Sequence, residues 1–175
     1  MRTLFNHTGP SVIRKLVIPL LCLLATGTKA QVDTLPGDPA VIMAYTIQHL
    51  HFGTFSAGNT GGTLILSTTG SRTTTGTVVA INQGASASAA MFDVDAVYGA
   101  MVSVLNGPDV TLTGSNGGSM LMHIGASNPA SPFITTVRQP LRTHVYIGAT
   151  LTVGSQAANP PGTYSGTFYV TFALE

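Results

Sequence analysis

Beyond residue 40 the apolar side chains recur at every second position, and no segment sustains the 3.6-residue spacing of a helix. The closing stretch shows this best. Tyr164, Phe168, Val170, Phe172 and Leu174 share one side of an extended chain, with Gly166 among them. Thr163, Ser165, Thr167, Tyr169 and Thr171 take the other side. Val145, Ile147, Ala149, Leu151 and Val153 form a second apolar row, opposed by His144, Tyr146, Thr150 and Thr152. Phe92, Val94, Ala96 and Tyr98 make a third, which turns Asp93 and Asp95 outward. Met120, Met122 and Ile124 make a fourth, with His123 outward. Shorter candidate strands are Val41–Gln48, Thr63–Ser67, Thr77–Ile81, Met101–Leu105 and Val110–Thr113. Alternation of this kind needs one face buried and one face wet, which packed sheets provide.

The rows are interrupted by Gly58-Asn59-Thr60-Gly61-Gly62, Thr69-Gly70-Ser71, Asn106-Gly107-Pro108-Asp109, Asn116-Gly117-Gly118 and Asn159-Pro160-Pro161-Gly162. Gly and Asn accept positive φ and Pro fixes φ, so each interruption reads as a turn. About nine or ten short strands joined by polar turns predict an all-β fold, a two-sheet antiparallel sandwich. Residues 40–175 are expected to form it as one domain without internal repeats.

Residues 1–30 read as a cleaved signal peptide. Arg14-Lys15 supply the positive end, Leu16 to Ala25 a short apolar run, and Thr28-Lys29-Ala30 the small residues of a cleavage site. That run is about ten residues, half of what a membrane-spanning helix needs, so no membrane span is expected after cleavage. Residues 31–39 form an extended lead-in, in which Pro36 and Pro39 bar a helix. The expected location is therefore outside the cytoplasm: the periplasm, the outer cell surface or the medium of a Gram-negative-type bacterium.

Charge narrows the function further. Four of the seven basic residues (Arg2, Arg14, Lys15, Lys29) lie in the leader, and all six acids lie after it. Only Arg72, Arg138 and Arg142 remain to face phosphates, which argues against a nucleic-acid surface. The chain after residue 30 has no Lys and no Cys, so it offers no phosphate-cradling Gly-Lys motif, no thiolate zinc site and no Cys nucleophile. No cofactor is expected.

Two pairs of side chains have metal-ligand character. His49 and His51, spaced i and i+2, would share a strand face, and Asp93 and Asp95 have the same relation. Either pair equally suits a wet strand face, and the sequence does not bring the two pairs together. Tyr146 and Tyr169 on polar strand faces suit carbohydrate or protein contact, or cross-strand pairing. Gly162-Thr163-Tyr164-Ser165-Gly166 lacks the residue that a hydrolase elbow places between Ser and the second Gly, and it continues as a strand. No catalytic residue is assigned, and the chain is read as a non-enzyme.

Three motifs together carry a resemblance: Leu50-His51-Phe52-Gly53-Thr54, then Gly61-Gly62-Thr63 leading to Gly70-Ser71-Arg72-Thr73, and finally Gly162-Thr163-Tyr164-Ser165-Gly166-Thr167-Phe168-Tyr169-Val170-Thr171. In this order, behind a signal peptide, they resemble the exported bacterial family called domain of unknown function 4402. Leu50, Phe52, Gly53, Gly162, Tyr164 and Gly166 are the positions that carry the likeness. The terminal strand is also similar to those of spore-coat-U-like proteins and chaperone–usher pilins, although Leu174 stands where pilins have an aromatic residue. The resemblance implies an exported immunoglobulin-like β-sandwich acting as a cell-surface or fimbria-like component. Partnership would come through self-assembly or through a chaperone or surface protein, paired along a sheet edge by Tyr164, Phe168, Val170, Phe172 and Leu174. The alternative is a stand-alone periplasmic or extracellular domain that binds a glycan or a metal.

Overall fold

A computed structural model describes residues 41–175, which form an all-β domain with antiparallel pairing between its strands. The expected signal peptide at 1–30 and lead-in at 31–39 lie outside the described residues. The first seven strands are β1 (Met43–Gln48), β2 (Phe55–Ser56), β3 (Gly62–Leu66), β4 (Arg72–Thr74), β5 (Val79–Ala80), β6 (Ala90–Asp95) and β7 (Met101–Asn106). They are followed by β8 (Val110–Gly114), β9 (Ser119–Asn128), β10 (Phe133–Ile134), β11 (Thr143–Val153), β12 (Tyr164–Ser165) and β13 (Val170–Leu174). Four of these (β2, β5, β10 and β12) are two residues long, so the strands of three residues or more number nine, as the turn spacing anticipates.

The longest strand, β11, is the spine of the large sheet. β6 lies beside its first half and β3 beside its second half on one edge, and β9 runs along the other. β1 extends the sheet beyond β6, β4 beyond β3, and β8 followed by β12 beyond β9. A smaller sheet, in the order β10-β7-β13, forms the second layer, and β2 pairs with β5 as a separate ribbon. The curled large sheet with the small sheet against it gives sandwich-like packing.

Alternation predicts the interior of the spine. Val145, Ile147, Ala149, Leu151 and Val153 are all buried, as are Met120, Met122 and Ile124 on β9. Their apolar faces fill two clusters laid end to end. One gathers Leu64, Leu66, Leu112, Met120 and Leu151. The other gathers Val94, Val102, Ile124, Val145 and Ile147 beneath the small sheet. Leu50 and Phe168, both half-buried, touch both clusters.

Two expectations need correction. Tyr98 is not part of the third apolar row: β6 ends at Asp95, and Tyr98 sits in the following turn at 52% exposure, with the Arg138 guanidinium 4.3 Å above its ring. The closing stretch is also not one strand. β12 pairs with β8 in the large sheet, residues 166–169 pair with no strand, and β13 then pairs with β7 in the small sheet. Gly166 marks the departure: a Cβ there would lie 2.8 Å from the Leu112 side chain and 3.2 Å from the Thr111 carbonyl, so a larger residue would force Leu112 to shift. The apolar rhythm of Phe168, Val170, Phe172 and Leu174 still points into the core.

Candidate functional site

The switch of the terminal segment between sheets leaves a groove. One wall is residues 48–57, the other is residues 160–170, and Leu112, Met120, Met122 and Leu151 form part of the floor. Its volume is about 1150 Å³, within reach of a side-chain row and far larger than a packing defect. Thr46 and Gln48 of β1, Phe92 of β6 and Val170 of β13 line its upper end.

Among the described residues both strands beside that upper end are edge strands, since β1 pairs there only with β6 and β13 only with β7. Their positions follow from side-chain contacts. Phe172 on β13 meets Phe92 on β6 edge-on, with ring centroids 5.5 Å apart. On β7 the Asn106 Nδ2 donates to the Ile124 and Gly125 carbonyls of β9. Thus β13 lies above β6 and β7 lies towards β9, which turns the free edge of β13 to the β1 side. Of the strand-pairing row expected from sequence, Tyr164, Phe168 and Val170 line the groove, whereas Phe172 and Leu174 pack half-buried against the core cluster beneath the small sheet. Tyr169 points away and is 73% exposed.

The remaining motif positions build the groove walls. Phe52 is buried and Gly53 has φ = +74°, a left-handed conformation that follows from the tight turn behind Phe52. The Arg72 guanidinium lies against this turn. Its Nη1 donates to the Phe52 carbonyl at 3.1 Å and the Thr54 carbonyl at 2.8 Å, and its Nη2 donates to the Ile81 carbonyl and Asn82 Oδ1, each at 3.0 Å. A Cβ on Gly53 would sit 2.8 Å from that guanidinium and 3.0 Å from the Ala85 carbonyl. Gly53→Ala is accordingly expected to cost about 2 kcal/mol from backbone strain and crowding together, read as a shift of the urea midpoint. On the opposite wall, Tyr164 donates its hydroxyl to the Pro160 carbonyl at 2.8 Å, and Gly162 leaves room for the Ser115 side chain. Asn159, almost fully buried, fastens the base of this wall: its Oδ1 accepts from the Gly154 N–H at 2.5 Å and its Nδ2 donates to the Ser119 carbonyl at 2.7 Å.

The metal-ligand candidates go to different places. His49 and His51 lie just past β1 in the groove wall, where His51 Nδ1 accepts the Gly53 N–H at 2.8 Å. Asp93 and Asp95 face outward on β6. Asp93 meets His144 Nδ1 at 2.5 Å, and Asp95 accepts from Gln139 at 2.9 Å with Arg142 at 3.9 Å. Among the described residues no three His, Cys, Asp or Glu side chains gather as a metal-binding group. Residues 162–166 likewise form strand and turn, without the helix that a hydrolase elbow needs. No helix among the described residues is long and apolar enough to cross a membrane.

Comparison with known families then matches residues 42–173 to the one described as Domain of unknown function (DUF4402). The chain belongs to the DUF4402 family. No curated protein and no solved structure matches it. In this DUF4402 domain the motif positions Leu50, Phe52, Gly53, Gly162, Tyr164 and Gly166 all fall along the two groove walls. Arg72, read only as part of the second motif, and Asn159, read only as part of a turn, received no structural role from sequence, because their partners are mostly main-chain carbonyls and amides. The separated arrangement of β1 and β13 was equally hidden, since it depends on which sheets the two strands join.

Proposed function

We propose that this DUF4402 domain is an exported, non-enzymatic structural or adhesive component that accepts an extended segment of a partner chain along β13. The observation that carries this reading is the groove of about 1150 Å³ running beside residues 166–168, which join no strand ladder, and beside an edge of β13 that no described strand covers. An incoming strand would hydrogen-bond to the edge of β13 and cover the inner face of β1. Its alternate side chains would descend towards Phe52, Met120, Met122 and Leu151. Main-chain pairing gives such an interaction its affinity, and the pockets for alternate side chains give it selectivity. Among the described residues the groove lining holds no carboxylate, Lys or Cys beside His49 and His51, which favours docking over chemistry. Export is the reading that the positive end, apolar run and small residues of the first thirty positions support.

The test is titration of the purified protein with synthetic peptides of strand length that differ only in side-chain alternation. An alternating apolar peptide is expected to raise the melting temperature and slow amide exchange at residues 166–174. A scrambled peptide of equal composition should do neither. If neither peptide protects those amides and the protein behaves as a lone, stable monomer alongside its natural surface proteins, the docking reading fails.

A further inference from the structure

We propose that a second, polar cavity binds the anionic group of an acidic sugar. The cavity has a volume of about 480 Å³. It lies between the β3–β4 turn, at Gly70 and Ser71, and the segment after β5, at Asn82, Gly84 and Ser86, with Arg72 in its wall. It shares Ile81 and Ala85 with the groove but no residue of the terminal segment, so the site is separate from strand docking along β13.

The ligand class follows from charge and from the donors. A guanidinium is always charged, yet the four acceptors around Arg72 are three carbonyls and one carboxamide, all neutral. Among the described residues Arg142 pairs with Asp95, but no carboxylate pairs with Arg72, and the cavity lining holds neither Asp nor Glu. The positive charge is therefore uncompensated. Because Arg72 has only donors to offer, Asn82 must turn its Oδ1 towards the guanidinium, at 3.0 Å, which leaves both Nδ2 hydrogens for another acceptor. The main-chain N–H groups from Asn82 to Ala87 likewise donate to no other main-chain group among the described residues. A fixed cation with N–H donors around it is the chemistry that recognises a carboxylate, sulfate or phosphate. Size supplies the rest. A bare ion would leave most of 480 Å³ to solvent, whereas that volume lies within the range of about 300–1,000 Å³ typical of small-molecule sites. The main-chain carbonyls of Asn82, Gln83 and Gly84 are equally unengaged by main-chain donors and suit the hydroxyl groups of a sugar ring.

Amide-resolved NMR titration at constant ionic strength tests this, with sodium glucuronate, sodium sulfate and glucose as the probes. Glucuronate is expected to give saturable shifts at the amides of residues 84–87 and at Arg72 Nε, and glucose at equal concentration none. Sulfate weaker than glucuronate assigns the site to an acidic sugar; sulfate as tight or tighter assigns the same oxyanion chemistry to a free inorganic ion and overturns the sugar. Asn82→Asp keeps an acceptor for Arg72 and adds the missing counter-charge, so it should weaken glucuronate at least about tenfold without loss of fold. Ser86→Asp places a carboxylate in the lining without touching the Arg72 contacts and should act alike. Thr113→Asp, with the same change of net charge on exposed β8, should bind as the parent does. The proposal is overturned if neither anion gives saturable shifts, if glucose matches glucuronate, if both lining variants titrate like the parent, or if Thr113→Asp weakens binding as much as they do. Should Asn82→Asp not fold, Ser86→Asp decides.

Discussion

Arg72→Met is expected to lower the unfolding free energy by about 3–4 kcal/mol, far more than loss of either other arginine in the described domain. The reason is the number of segments that one planar group joins. Arg72 belongs to β4, yet its guanidinium donates to the carbonyls of Phe52, Thr54 and Ile81 and to Asn82 Oδ1. It therefore ties β4 to the turn behind Phe52 and to the segment after β5. Methionine retains much of the aliphatic stem but leaves these acceptors without donors, at a cost of roughly 1–3 kcal/mol for each one that water cannot reach. Half-exposure of the site lets water satisfy some of them, which keeps the total below the simple sum. Arg72→Lys should recover little, since a single ammonium cannot reproduce the planar fork. Arg138→Ala removes a surface contact over Tyr98 and should cost about 1 kcal/mol or less. Urea unfolding followed by circular dichroism, with the slope held in common, measures all three; equal losses at Arg72 and Arg138 would refute the account.

How much of this was legible beforehand depended on the range of the interaction. The rows on β9 and β11 were plain because burial of every second residue is a local pattern, set by the pleat. His123 and His144 were read correctly as outward, and each proves to meet an aspartate, Asp109 at 2.7 Å and Asp93 at 2.5 Å. The Arg72 network could not be read, because carbonyl acceptors exist at every residue and nothing marks the ones that are used. Phe168 to Leu174 kept its rhythm, but alternation says nothing about which neighbour a strand chooses. Pairing with β8 before Gly166 and with β7 after residue 169 is a long-range choice, and the groove exists only because of it. The metal candidates illustrate the same limit. Spacing placed two histidines and two aspartates on plausible faces, yet the segment after β1 puts the histidines in the groove wall while β6 turns the aspartates outward to His144, Gln139 and Arg142.

Ile147→Ala should destabilise the domain by about 3–4 kcal/mol, while Phe168→Ala should cost only about 1–2 kcal/mol. A full phenylalanine deletion would exceed the isoleucine loss if both were equally buried. They are not: Ile147 is completely buried beneath the small sheet, whereas Phe168 is half-buried on the groove wall. Truncating Ile147 opens a cavity enclosed by β6, β9 and the layer above, with no route for collapse except distortion of the spine strand. Truncating Phe168 widens a groove that solvent already enters, so the cavity part of the penalty is mostly missing. The two substitutions should also respond differently to a docked strand peptide. Occupancy of the groove would bury Phe168 further and enlarge the cost of its loss, but it would leave the Ile147 penalty unchanged. Chemical denaturation of the parent and both variants, with and without peptide, separates these outcomes. A Phe168→Ala loss equal to that of Ile147→Ala in the absence of peptide would mean that the groove is closed in solution.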